Sequence, residues 1–151
     1  MSVFNYDSVR GYSLDEEDER ELVEAQKECT FIWANKEGWP VGVIMSYVWK
    51  DGAFWLSISS LRVRVAAVTR DPRVAVCVTS LGTSLPSGRT ITYKGRCEVF
   101  ADEETKAWFL PALAERLRPG GYLLVGHSES LSAIKHPLQP VQPAIYLKPK
   151  A

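Results

Sequence analysis

The sequence has no excess of charge of either sign, since 18 Lys and Arg residues balance 18 Asp and Glu residues. A protein that binds nucleic acid through bulk charge needs a basic excess, so we expect no nucleic-acid partner. No apolar run approaches the roughly 20 residues that cross a bilayer. The start, MSVFNYDSVRGYSLDEEDERE, also lacks the basic and then apolar segments of a secretory signal. We therefore expect no membrane partner.

Cysteine and histidine are scarce. The three cysteines, Cys29, Cys77 and Cys97, lie far apart and form no C-x-x-C pair, which argues against a disulfide framework and predicts a reducing, cytoplasmic location. The two histidines, His127 and His136, have no ligand-like spacing, so we predict no metal site.

Helix signals occur near both ends of the sequence. Ser13 to Glu16 fits a capping box at the start of a first helix. Asp102 is the candidate cap of a second helix, and Pro111 is expected to kink or split that second helix. With no linker or repeat to divide the 151 residues, we predict one domain. Its parts are an N-terminal helical segment (1–27), a barrel core (28–101), a helix (102–118) and an irregular tail with a last strand (119–151).

Between the helix signals the apolar residues recur with a period of two. The stretch 89–102, RTITYKGRCEVFAD, alternates cleanly and predicts an antiparallel sheet with one wetted face. The stretch 40–49 is apolar on both faces, so a second layer must cover it, and a second copy of the chain could provide that layer. Several short strands with few helices favour a small closed barrel.

The pattern changes within SISSLRVRVAAVTRDPRVAV, residues 57 to 76. After the serines, Leu61, Val65 and Val68 fall on one stripe of a helix, so Ser59 or Ser60 is predicted to cap it.

The same junction carries groups that suit a phosphate. A helix N-terminus offers unpaired N–H groups, Arg62 and Arg64 offer forked donors, and Ser57, Ser59 and Ser60 add hydroxyls. The alternative is purely structural: a serine cap with two solvated arginines.

At these residues the sequence resembles the split β-barrel flavoproteins similar to pyridoxamine-phosphate oxidase, and more closely the B-type flavin/deazaflavin oxidoreductases. Their pattern R-x-K-x-x-N-L-x-x-D-P-R-V is similar to RVRVAAVTRDPRV from Arg62 to Val74. The resemblance implies a mainly β fold, a six- to seven-stranded antiparallel split barrel of Greek-key type with a few flanking helices. It also implies that Arg62 and Arg64 bind a cofactor phosphate.

The resemblance further implies a homodimer with shared cofactor sites. Met45, Ser46 and Tyr47 would lie along the tricyclic ring of the cofactor, and Thr90 would reach the site from the partner subunit.

The function implied by the resemblance is hydride transfer between a flavin-type cofactor and a small conjugated substrate. Coenzyme F-420 is favoured because Arg62 and Arg64 fill both basic positions of the family's pattern. FMN is the alternative. Loops 81–88 and 119–142 would shape the substrate pocket. Ala67 replaces the family's asparagine, which leaves a non-catalytic flavin or deazaflavin carrier or sensor as a second hypothesis. The tail AIYLKPKA lacks the ending of true pyridoxamine-phosphate oxidases, so vitamin B6 oxidation is not expected.

Overall fold

The computed structural model describes residues 13–124, 131 and 134–150. Its helices are α1 (Glu16–Ala25), α2 (Val63–Arg70) and α3 (Glu103–Arg116). Its strands are β1 (Glu28–Ala34), β2 (Pro40–Lys50), β3 (Ala53–Leu56), β4 (Arg73–Thr79), β5 (Thr90–Arg96), β6 (Tyr122–Leu124), β7 (Gln139–Gln142) and β8 (Ile145–Leu147). Within these residues no helix is long and apolar enough to cross a membrane. His127, weighed above as a metal ligand, lies outside the described residues.

Two antiparallel sheets form the β structure. The larger has the strand order β3-β2-β1-β4-β5, and the smaller has the order β6-β8-β7. Tyr93 on the edge strand β5 lies 5.2 Å, between ring centroids, from Phe54 on the opposite edge strand β3, and 6.2 Å from Trp49 on β2. These ring contacts inside the curled sheet bring its edges together. The prediction of a mainly β split barrel is confirmed.

The interior of the large sheet is the first hydrophobic core. Every second residue of β2 packs into it, and Tyr47 is fully buried there. Leu22 and Val23 of α1 and Ala67 and Val68 of α2 close the same core. The alternation of the stretch 89–102 predicted the inward face of β5 correctly, because its apolar residues pack against this core.

The outward face of the large sheet is covered at one end only. Val48 pairs with Trp55 across β2 and β3, and both pack against α3 and the small sheet in a second core. Farther along β2, Ile44 is 72% exposed. The register places Thr30 opposite both Ile44 and Cys77, so these three residues lie in one row of the open outer face.

The helix ends differ in detail from the expectations. Asp15, not Ser13, caps α1, because its carboxylate accepts the Asp18 amide at 2.8 Å. Asp102 caps α3 as predicted, its carboxylate accepting the Thr105 amide at 2.7 Å. Pro111 does not split α3, which runs without a break from Glu103 to Arg116.

Candidate functional site

The serine-rich segment leaves β3 next to the middle of β2. Leu56 pairs with Tyr47, and Ile58 still packs against the first core. Ser57 and Ser59 flank Ile58 just beyond the end of β3, and Ser46 lies on the outer face of β2. None of these serine hydroxyls is hydrogen-bonded to another described residue, so they are available to a ligand.

The start of α2 also differs from the prediction. Arg62, rather than Ser59 or Ser60, is the N-cap, and its side chain makes no capping hydrogen bond. The Arg62 amide donates to the carbonyl of Ser59, and the Val65 amide donates to the carbonyl of Arg62. Among the described residues, the amides of Val63 and Arg64 find no acceptor. The uncapped helix therefore presents two free donors and the positive end of its dipole.

Arg64 is the most unusual charge at this junction. Its side chain is half-buried, and its Nε is buried without a hydrogen-bond partner within the described chain. None of the ion pairs among the described residues involves Arg64 or Arg62. Burial lowers the pKa of Arg64, and the neighbouring charge of Arg62 lowers it further. A buried polar atom without a hydrogen-bond partner is costly unless a ligand accepts from it.

Arg116 shows what a satisfied arginine looks like in the same chain. Its Nε is also buried without a partner, but its Nη2 donates to the carbonyls of Gln26 at 2.5 Å and Glu24 at 3.2 Å. Its Cζ lies 5.4 Å from the ring centroid of Tyr47. Arg116 therefore joins α3 to the end of α1 and the residue after it, whereas Arg64 makes no such contact with any described residue.

The predicted ring-contacting residues of β2 are divided by the pleat of the strand. The Tyr47 hydroxyl donates to the carbonyl of Val23 at 2.6 Å inside the first core. Met45 packs against the same core. If a planar ligand lies along β2, it meets the Ser46 side chain and the backbone, not the side chains of Met45 or Tyr47.

Thr90 lies at the far side of the large sheet. It pairs with Thr79 on β4, while Ser46 pairs with Glu28 on β1. Three interstrand spacings separate β2 from β5, about 14 Å along the sheet. This distance follows the curled sheet and is not a through-space separation, so the expected role of Thr90 toward a partner's site stays a prediction.

Other chemistry at the described residues is sparse. They contain no group of three or more His, Cys, Asp or Glu side chains that could hold a metal ion. The fit of the junction to a phosphate therefore carries the functional argument. Sequence reasoning singled out Arg62 and Arg64, and from the apolar character of both faces of β2 it expected a covering layer over the face that carries Ile44, which is exposed in the single chain.

Comparison with known proteins agrees with this fold. The sequence matches the family model described as pyridoxamine 5'-phosphate oxidase over residues 16–128, which is more than half of the chain. The chain belongs to that family, and the resemblance seen in the sequence is confirmed. A comparison with curated protein sequences gives no match.

Three solved structures are similar to the chain. The conserved hypothetical protein Rv2991 from Mycobacterium tuberculosis has a TM-score of 0.62 and 22% identity, with 69% of this chain and 64% of that chain covered. A protein called F420 reductase has a TM-score of 0.56 and 18% identity, with 87% and 93% covered. A heme binding protein from Mycobacterium smegmatis has a TM-score of 0.51 and 22% identity, with 64% and 42% covered. The chain thus spans less than two thirds of the first and third proteins, and at these identities the likeness shows the fold alone.

Proposed function

We propose that the protein is a flavin- or deazaflavin-dependent oxidoreductase that transfers a hydride between its cofactor and a small conjugated substrate. One observation carries the proposal: the half-buried Arg64 has a buried Nε without a partner and lies at the uncapped start of α2. The chain belongs to the family described as pyridoxamine 5'-phosphate oxidase, which supports an oxidation–reduction reaction.

The residues present fit the phosphate of such a cofactor. The free amides of Val63 and Arg64 and the Arg64 guanidinium would bind its oxygens, and the Ser57 and Ser59 hydroxyls would add donors. Ser46 and the backbone beside it would border the ring. The bound cofactor supplies the hydride chemistry, while the protein binds it, orients it and excludes water.

Coenzyme F-420 is the cofactor that we favour. Arg62 is exposed and unpaired within the described chain, so it adds a second cation beyond the one that a single phosphate needs. A deazaflavin with a phosphate and an anionic polyglutamate tail would use both cations. The likeness to the protein called F420 reductase, at 18% identity, supports this choice weakly. FMN remains the alternative.

A carrier or sensor without turnover is the second candidate. Ala67 is 4% exposed and packs in the first core, so the position where relatives have asparagine contributes no amide to a ligand. Turnover is tested by mixing the reduced cofactor–protein complex with conjugated carbonyl compounds and following cofactor reoxidation. Rates equal to those of a protein-free control would favour the carrier.

Vitamin B6 oxidation is not proposed, because the C-terminal tail makes structural contacts in this chain. Tyr146 in β8 is buried, and its hydroxyl accepts the Leu131 amide at 3.0 Å. Lys148 donates from Nζ to the carbonyls of Ala114 and Glu115 and so closes the end of α3. These residues hold the second core together.

A homodimer is part of the proposal. Ile44, flanked by Thr30, is exposed on the open part of the outer face, and a large exposed apolar side chain in a sheet centre favours a covering partner. The same association would bring Thr90 of the partner subunit toward the site. The cofactor pocket would then be complete only in the dimer.

The cofactor is tested by titrating the apo-protein with F-420 and FMN and following their fluorescence. Arg62→Met should weaken the binding of F-420 more than the binding of FMN. The preference of the parent for F-420 should also shrink in high salt, because the Debye length falls from about 8 Å at physiological ionic strength to about 3 Å at 1 M. Arg70→Met is the matched control, since Arg70 lies at the other end of α2 and donates to the carbonyl of Ala34. Equal losses for both ligands would favour FMN, and no binding at millimolar concentration would contradict the proposed function.

A further inference from the structure

The loop between β4 and β5, residues 80–89, connects the sheet to Thr90. The Ser80 amide donates to the carbonyl of Arg89 at 2.9 Å and closes the base of the loop. The Thr83 hydroxyl donates to the carbonyl of Ser80 at 2.7 Å, and Leu85 packs against the first core. The base of this loop is therefore ordered by its own contacts.

Helix α1 fixes one end of the loop through an ion-pair triad. The Arg89 side chain is only 19% exposed, and its Nη2 and Nη1 lie 2.8 Å from the carboxylates of Asp18 and Glu21 respectively. The two carboxylates are three residues apart and so lie on one face of α1. The guanidinium is largely shielded from water, while the side chains of Asp18 and Glu21 are 37% and 54% exposed, so these are charge-assisted hydrogen bonds with partly solvated partners.

Gln26, at the end of α1, fixes the other end of the loop. Its Nε2 donates to the carbonyls of Thr79 at 2.6 Å and Leu81 at 3.0 Å. Its Oε1 accepts the amides of Lys27 at 2.9 Å and Glu28 at 3.2 Å. All four hydrogen-bonding positions of the amide are used, so the loop is attached to α1 at both of its ends.

We propose that Arg89 is a positioning residue of the cofactor site, which acts by holding Thr90 and the loop against α1. Arg89 precedes Thr90 directly, so the ion pairs set where β5 begins. This inference rests on the proposed function, in which Thr90 contacts the cofactor of the partner subunit. Helix α1 of one subunit thereby controls the geometry of the other subunit's site.

The test measures hydrogen exchange of the amides 81–88 and the affinity for FMN and F-420. Arg89→Met should raise both the exchange and the Kd by about tenfold, the effect of losing a charge-assisted contact. Arg89→Lys, which keeps one contact, should give a smaller change and serves if Arg89→Met does not fold. Arg73→Met is the control, since Arg73 is paired with Asp71 at 2.7 Å at the other end of β4 with its side chain 80% exposed.

Rescue separates positioning from general destabilisation. The double variant Arg89→Glu with Glu21→Arg re-forms one ion pair but sets a carboxylate at position 89 beside Asp18, so it should restore part of the exchange protection and, in the same proportion, part of the affinity. Parent-like affinity in Arg89→Met, or restored protection without restored affinity, would overturn the positioning role while leaving the proposed function intact. If the parent itself binds neither cofactor, the proposed function fails, and this role of Arg89 fails with it.

Discussion

Replacing Arg64 with methionine removes a guanidinium that has no partner among the described residues but keeps most of the aliphatic volume of the side chain. If the role of Arg64 is to bind a ligand, its loss should weaken ligand binding and should not lower the free energy of unfolding of the apo-protein. If it is kept for the fold, its loss should destabilise the apo-protein. The two possibilities predict opposite results from one variant.

The magnitudes follow from its surroundings. The buried Nε without a partner carries a desolvation cost, so Arg64→Met should leave the free energy of unfolding of the apo-protein unchanged or raise it by up to about 1 kcal/mol. Losing a charge-assisted contact to phosphate costs about 1.5–3 kcal/mol, which weakens cofactor binding roughly 10- to 150-fold.

Arg116→Met is the matched variant. Arg116 donates to two backbone carbonyls and lies over Tyr47, so its removal should lower the free energy of unfolding by about 1–3 kcal/mol. Urea unfolding of both apo-proteins and fluorescence titration with FMN and F-420 measure the two quantities. The reasoning is refuted if Arg64→Met destabilises the protein as much as Arg116→Met, or if it binds both cofactors as the parent does.

Three further predictions concern the dimer and ionisation. The parent should sediment as a dimer at micromolar concentration and Ile44→Asp as a monomer, whereas a monomeric parent would rule out the shared site. Burial, helped by Cys77 and Glu28, raises the pKa of the Cys29 thiol from 9.0 to about 12. The thiol therefore ionises at lower pH in the unfolded chain than in the folded one, so the free energy of unfolding should fall as pH rises above about 9. This fall should be less steep in Cys29→Ala, and an equally steep fall in the parent and in Cys29→Ala would contradict the burial effect. Side-chain and backbone hydrogen bonds from Arg73 hold the pKa of Asp71 at about 2. Arg73→Met removes the side-chain bonds but keeps the backbone amide and Arg70, so NMR titration should find the Asp71 pKa raised but still below 3.8, and an unchanged pKa would contradict the assignment.

Local alternation made the core face of the sheet predictable. In β5, Ile91 and Tyr93 pack inward, because every second residue of a strand shares a face and the polar residues between them face water. The last strand of the tail was predicted and is β8, but the same signal missed β6 and β7, which have three and four residues. A strand that short carries too few residues to show a period.

The prediction of a helix after the serines was correct, but the prediction of its buried face was partly wrong. Leu61 is 85% exposed and precedes the helix, which begins at Val63. Ala67 and Val68 are the buried residues of this helix. An alanine carries little hydrophobic signal in a sequence pattern.

Long-range partners could not be predicted from the sequence. Arg89 is paired with Glu21, 68 positions earlier, and nothing local distinguishes it from a solvated arginine. The lack of a counter-charge at Arg64 is likewise a property of the assembled fold. Its motif indicated a phosphate, but only the structure shows that no described side chain neutralises it.

The central claim is that the start of α2 binds a phosphate, and comparing FMN with riboflavin tests it most directly. The two ligands share the ring and differ in the phosphate. The parent should bind FMN roughly 10- to 150-fold more tightly than riboflavin, and Arg64→Met should lose most of that advantage. Equal affinity of the parent for FMN and riboflavin, or an advantage that survives in Arg64→Met, would contradict the account.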